Sequence, residues 1–119
     1  MANHNITGKD GEALARLYLS QKGFVILHTN WRHSHYEIDI IASVGEILHF
    51  VEVKTRRSLR YGYPEESITP KKMQRLMNGA EAFLIENPQW KNIQYDVLSI
   101  NLVKNKPPEY FFIEDVYLY

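Results

Sequence analysis

Residues 36–56 read YEIDIIASVGEILHFVEVKTR, and the fold turns on how this stretch divides. Two β-rich apolar runs, YEIDIIA at 36–42 and EILHFVEVKT at 46–55, flank a short break at Ser43, Val44 and Gly45. That is the pattern of a hairpin. The run HFVEV has no clean polar face, as expected of a central strand covered on both sides. Side chains two apart on a strand share a face. Glu37 and Asp39 therefore fall together on the first run, and Phe50, Glu52 and Lys54 on the second. A loop of Val44-Gly45, or of Ser43 to Glu46, pairs positions whose numbers sum to 89. Glu37 is then expected opposite Glu52, and Asp39 opposite Phe50. An odd-length loop without a bulge breaks this register.

Crowded carboxylates across a strand pair repel, and charge in a central strand is costly. Lys54 or a divalent cation offsets both. Magnesium takes oxygen ligands, often one or two carboxylates with water and phosphate, and Asp39 and Glu52 offer such a set. Lys54 beside them can neutralise a phosphate or support an attacking water. The other reading is an edge hairpin with a solvated polar face.

Working outward, residues 7–22 read as a helix, with Leu14, Ala15, Leu17 and Tyr18 at helical spacing, Gly23 as the stop and Thr7 or Asp10 as the cap. Residues 24–31 read as a strand that Asn30, Trp31 and Arg32 close. Thr69-Pro70 opens a second helix that runs to about Glu86, where Asn87-Pro88 ends it. Strands are expected at 93–103 and 109–118. The order is α-β-β-β-α-β-β, one domain over residues 1–119, with helices packed on a central mixed sheet. The connection from the third strand through the second helix is long enough for a parallel crossover.

Composition narrows the function classes. The 119 residues contain no cysteine, which excludes disulfides and zinc–thiolate sites. The polar start MANHNITGKDGE and the lack of a long apolar run give no sign of a signal peptide or membrane span, so a cytoplasmic protein without a membrane partner is expected. Net charge is zero, but from Lys54 to Arg75 seven basic residues stand against two acidic ones. Arg56, Arg57, Arg60, Lys71, Lys72 and Arg75 make this segment a candidate for phosphate contacts, and Tyr61 and Tyr63 for base stacking. A solvated loop and helix face is the alternative. Arg32 can pair with Glu37 or with phosphate. His33 and His35 fit a solvated loop better than a metal site. His49 points away from Glu52, into the core or a groove. The aromatic end EYFFIEDVYLY is an ordinary strand, or an edge that pairs with a second copy to form a homodimer.

The pattern GxxGExxAxxYL, then NWR, EIDIIA, FVEVKTR and ITPKK, resembles the YraN-type family of small uncharacterised bacterial proteins over nearly the whole chain. That family is similar to archaeal Holliday-junction resolvases and to the PD-(D/E)xK, restriction-endonuclease-like superfamily. The resemblance implies that Asp39 and Glu52 bind Mg²⁺ or Mn²⁺, that Lys54 assists phosphodiester hydrolysis, and that Glu12 reaches the same site from the first helix. It implies DNA, branched or otherwise structured, as partner, with RNA open. Two departures are visible: Ile38 replaces the superfamily's proline before the first Asp, and Gln94 stands where relatives often carry Arg. A non-catalytic nucleic-acid-binding module and a protein-interaction adaptor are the other readings.

The basic segment generates a direct test. DNA binding should weaken steeply with salt, and replacing Arg57 and Arg60 by Ala should lower the slope of log K against log salt by about one unit for each phosphate no longer neutralised. An unchanged slope in the double variant means that this loop does not touch phosphate.

Overall fold

The computed structural model describes residues 6–57 and 69–116. Arg60, Tyr61, Gly62, Tyr63 and residues 117–119 lie outside the described residues, as do the side chains before Gly11. The elements are α1 (Ile6–Gln21), β1 (Val25–His33), β2 (Tyr36–Val44), β3 (Ile47–Arg56), α2 (Pro70–Glu86), β4 (Asn92–Asn101) and β5 (Glu109–Ile113). The five strands form one sheet in sequence order. β3 pairs with β4 in parallel, and the other neighbours are antiparallel. This is the expected α-β-β-β-α-β-β order with a mixed sheet and β3 at its centre.

A helix covers each face. On one, Ile38, Ile41, Leu48 and Phe50 pack against Met73, Leu76, Ala80 and Phe83 of α2. On the other, Ile40, Ala42, Val51, Leu98 and Ile100 pack against Ala15 and Leu19 of α1. Ala15 and Leu19 define the buried stripe of α1, so Leu17, two positions from Ala15, is turned outward and 54% exposed rather than buried. α1 begins at Ile6, which places Thr7 and Asp10 inside the helix instead of at its cap. Thr69 caps α2 as expected: its hydroxyl accepts from the Lys72 N–H at 3.2 Å, and Pro70 occupies the first turn, where a missing N–H costs nothing. Among the described residues no helix is long and apolar enough to cross a membrane.

The strand expectations are corrected in places: β4 spans Asn92–Asn101 and β5 ends at Ile113. β1 does not close at Arg32 but runs to His33. The β2–β3 loop is Gly45-Glu46, with Gly45 at φ 58°, and paired positions sum to 91: Ile40 faces Val51 and Ile41 faces Phe50. A two-residue loop, one step later than read, keeps Ser43 and Val44 in the ladder. The shift of two preserves parity, which is why the faces of β3 survive the error.

β5 packs inward. Tyr110 stacks on Tyr18 at 4.5 Å, and Phe112 meets Phe24 edge-on at 5.8 Å. The described aromatics of the C-terminal segment therefore serve chiefly to close α1 onto the sheet, and Phe111 is the one large apolar side chain of β5 that is notably exposed.

α1 crosses β3 closely at Gly11. A methyl group there would overlap Thr55 Oγ1 and come within 3.1 Å of its Cβ and 3.2 Å of its Cγ2. Rotating Thr55 moves its hydroxyl and methyl but leaves its Cβ at 3.1 Å. Gly11→Ala should therefore cost about 1–3 kcal/mol in chemical denaturation, the usual range for overpacking. Adding Thr55→Ala should recover most of that loss, a coupling expected of residues in contact. Additive losses in the double variant would refute the close crossing.

Candidate functional site

β2 begins as a regular partner of β3 and stops being one at Asp39. Continuing the register would bring Ile38 opposite Val53. Instead the ladder ends at Ile40 and Val51, and the Val53 N–H donates to Asp39 Oδ2 at 2.8 Å. A carboxylate here takes the place of a backbone carbonyl. The alternation of side chains fails at the same step: Ile38 packs toward α2, and Ile40, two residues on, toward α1. β1 turns over beside it. Trp31 packs with the α2 cluster, whereas Thr29 lines a small pocket with Glu12 and Arg16 of α1. Between them Asn30, which the β1–β2 register sets against Asp39, has φ 53°. Asn is one of the few residues that tolerate this left-handed conformation. The position of Asp39 thus follows from a turn-over in two neighbouring strands, and the simple alternation read from the sequence does not apply to it.

The result is a cleft of about 280 Å³ on the α2 side of the sheet. It is lined by three acidic side chains, Glu37, Asp39 and Glu52, by three basic ones, Lys54, Lys72 and Arg75, and by Tyr36, Val53 and Leu76. Lys54 comes from β3, while Lys72 and Arg75 come from one side of the first turns of α2, three residues apart. Lys71 is exposed and does not line the cleft. Arg56 lies half-buried at the end of β3 and Arg57 is exposed just beyond it. Arg32 donates to Glu37 Oε2 at 3.0 Å at the exposed rim of the cleft. Both side chains are well exposed, 74% and 42%, so this pair orients Glu37 at the rim more than it stabilises the fold.

Burial pushes the Asp39 carboxyl up to about 6. The Val53 N–H and the Lys54 charge oppose the shift, and the Glu52 and Glu37 carboxylates add to it. The crowding expected from the sequence is therefore present, with burial the larger cause. Lys72 is lowered from the usual lysine value, first by its contact with the Lys54 side chain and then by burial, while Glu52 acts in the opposite sense.

Glu12 reaches Asp39 from the other side of the sheet. It lines the small pocket that Asp39 closes, and its Oε2 accepts from Asn30 Nδ2 at 3.3 Å. Among the described residues no three His, Asp or Glu side chains gather closely enough to hold a metal ion, so Glu12, Asp39 and Glu52 do not form one ligand cluster. Asp39 and Glu52 remain a pair of oxygen donors facing a cleft. Such a pair, completed by water and phosphate, suits magnesium or manganese, and a cation there would relieve the repulsion that raises Asp39.

His33 lies 3.6 Å from Glu86, and His35 contacts Ser34 and Tyr36, so neither belongs to this cleft. His49 is buried, and its Nδ1 lies 2.7 Å from Asp96 Oδ2. The other Asp96 oxygen accepts from Gln94 Nε2 and from the Asp115 N–H, both at 2.9 Å. Gln94 thus has a structural task, which the sequence did not reveal. Asn30 is the residue near the site that sequence reasoning passed over. Its signal was an Asn inside a strand pattern, a type prone to left-handed geometry.

Asp39 titrates near 3.8 when unfolded and near 6 when folded. Between those values the folded chain holds the extra proton, so this group's contribution to stability is full below the lower value and lost as pH rises through the upper one. Without metal, Asp39→Asn should keep the Val53 hydrogen bond and exceed wild type at neutral pH by on the order of 2 kcal/mol. The difference should shrink toward about pH 4. Denaturation of both proteins in chelator across this range checks it; a gap independent of pH would contradict the raised carboxyl.

Comparison with known proteins places the chain. The model of the uncharacterised protein family UPF0102 matches residues 11–100. A UPF0102 protein of Rhodococcus opacus is 38% identical over 118 residues, covering 98% of this chain and 100% of the relative. One of Phocaeicola vulgatus is 40% identical over 116 residues, 98% of this chain and 93% of the relative. One of Dictyoglomus turgidum is 45% identical over 102 residues, 84% of this chain and 86% of the relative. The match takes in α1 from Gly11, the turned-over strands, the cleft and β4, and on this basis the chain belongs to the uncharacterised protein family UPF0102, the YraN family.

Proposed function

We propose that this protein is a metal-dependent endonuclease that hydrolyses phosphodiester bonds in DNA, with branched or otherwise structured DNA as the preferred form. The observation that carries the reading is the cleft itself, where Asp39 and Glu52 line one small volume together with Lys54, Lys72 and Arg75. A purely structural ion-pair network would not need to leave that volume open. Magnesium or manganese between Asp39 and Glu52 would supply a Lewis acid for a phosphate oxygen.

The chain's own residues account for the rest. Lys54 sits two residues from Glu52 on one face of β3, where its ammonium meets the charge that grows on the phosphate during displacement. Lys72 and Arg75, which line the same cleft, hold the phosphate beside it. Arg56, Arg57 and Lys71, with Arg60 of the loop outside the described residues, extend the contact to neighbouring phosphates, which position the backbone without reading sequence. Glu12, held by Asn30, keeps a second carboxylate behind Asp39. A binding module that performs no chemistry is the second reading, favoured by the balance of three acidic and three basic side chains in the cleft. The adaptor reading keeps the zero net charge that favours it, but Tyr110 and Phe112 pack against Tyr18 and are not offered to a partner.

The decisive experiment assays wild type on linear, nicked and branched DNA and on RNA, with Mg²⁺ and with Mn²⁺, beside Asp39→Asn and Lys54→Ala. Cleavage should vanish with Asp39→Asn. Lys54→Ala should reduce the rate by about 10²-fold or more, the usual loss for one electrostatic group acting in the transition state. DNA affinity should change little, because Lys54 is one phosphate partner among several, and the melting temperature should stay close to wild type. Near-normal cleavage by Lys54→Ala would overturn the assigned role. A wild type inert on every substrate with both metals would leave the binding module.

A further inference from the structure

The hairpin end of β2 and β3 holds a second cavity, on the α1 side of the sheet and apart from the cleft. It has about 470 Å³ and is lined chiefly by His49, Gln94, Phe24, Phe112, Val44 and Ile47. That volume falls within the roughly 300–1,000 Å³ of small-molecule sites. Phe24 meets His49 edge-on at 4.8 Å and Phe112 edge-on at 5.8 Å. Val44 and Ile47, the last pair of the β2–β3 ladder, are 40% and 39% exposed.

Two polar groups in this largely apolar setting are incompletely used. His49 is only 5% exposed, and its Nδ1 lies 2.7 Å from Asp96 Oδ2. Gln94 Nε2 lies 2.9 Å from Asp96 Oδ1. A carboxylate only accepts, so Asp96 fixes both partners: the ring proton sits on His49 Nδ1, and the Gln94 amide turns its nitrogen to Asp96. What remains on each is an acceptor, the Nε2 lone pair of a neutral imidazole and the Gln94 Oε1. Among the described residues neither atom has a hydrogen-bond partner. His49 and Gln94 are register partners on β3 and β4, and adjacent strands run about 4.8 Å apart.

Two acceptors at such a spacing suit a single amino group. Its two N–H bonds diverge, and at about 2.9 Å each they reach acceptors roughly 5 Å apart. The aromatic lining suits a flat ring carrying that amino group. Lys22 and Glu114 also line the cavity with opposite charges, so it selects no net charge on the ligand.

We propose that this cavity binds an uncharged flat heterocycle through its exocyclic amino group, the chemistry of an adenine or cytosine base, with His49 Nε2 and Gln94 Oε1 as the acceptors. Asp96, which has no exposed surface, is the positioning residue that holds both. The site depends neither on the cleft nor on the nuclease reading.

The test uses the whole chain and nucleosides, which carry no phosphate for the cleft, followed by NMR titration. Adenosine and cytidine should bind at about 0.1–1 mM and shift signals of Phe24, Val44, His49 and Phe112. Inosine and uridine carry a carbonyl oxygen in place of the amino group. They set an acceptor against two acceptors and should bind at least about tenfold more weakly. His49→Asn keeps an amide N–H for Asp96 but removes Nε2, so it should weaken adenosine and cytidine by about tenfold and erase most of the discrimination. Val44→Trp adds bulk at a partly exposed lining residue and leaves Asp96 and its partners alone. It should abolish binding at a near-normal melting temperature. Displacement of adenosine by a short single-stranded adenine oligonucleotide would assign the site to bases of a strand, and no displacement to free nucleosides; either upholds the proposal. Equal binding of the amino and carbonyl nucleosides, signal changes gathered about Asp39 and Glu52 instead, undiminished binding by a folded Val44→Trp, or no binding of either amino nucleoside would each overturn it.

Discussion

The hydrogen bond from the Val53 N–H to the Asp39 carboxylate is the constraint on which the site depends. In a regular ladder that N–H would bond to a backbone carbonyl of β2, and leaving it unpaired in this half-buried position would cost on the order of 1–3 kcal/mol. Asp39 satisfies it from a side chain, which frees β2 to part from β3 beyond Ile40. The parting opens the cleft. It also leaves a carboxylate partly buried at the fork, so the group that makes the opening is the group whose charge the opening has to accommodate.

Everything around the fork fits that arrangement. β1 turns over at Asn30, facing Asp39, so the two strands stay paired on either side of the irregularity while their side chains change faces. The turned strand brings Asn30 to Glu12 on α1. On the other side of the sheet, Thr69 starts α2 at the point that sets Lys72 and Arg75 over the fork. The close passage of Gly11 over Thr55 fixes the height of α1 above the same end of β3. Charge is concentrated at one end of the central strand, whereas toward the hairpin β2 and β3 pair in regular, unbroken register.

That regular end has a polar anchor of its own. Asp96, with no exposed surface, accepts from Gln94 and Asp115 and meets His49, which lies across the parallel pair of β3 and β4. A buried carboxylate is tolerable when its acceptor sites are filled in this way. The two carboxylates differ in what surrounds them. Asp96 is enclosed by hydrogen-bond donors, so nothing is left for a ligand to satisfy. Asp39 has one backbone donor, two carboxylate neighbours and an open cleft, which leaves it incompletely compensated.

The elements and their order were legible in the amino-acid sequence, because they follow from local rules. Apolar periodicity marked the strands, Thr69-Pro70 marked the start of α2, and the connection between β3 and β4 was long enough for the parallel crossover found there. The grouping of Glu52 with Lys54 was legible too, since alternation along a regular central strand depends on nothing beyond the strand. The register of β2 against β3 was misread by two positions, because Ser43-Val44-Gly45-Glu46 accommodates several loops and only pairing selects Gly45-Glu46. The parity survived because both loops are even. Three features needed the folded chain: the turn-over at Asn30 and Asp39, the separation of Lys72 from Lys71, and the approach of Glu12 to Asp39 from behind instead of into a shared cluster. Each depends on contacts between elements distant in sequence, where the energy of one hydrogen bond or one helix contact overrides the local period.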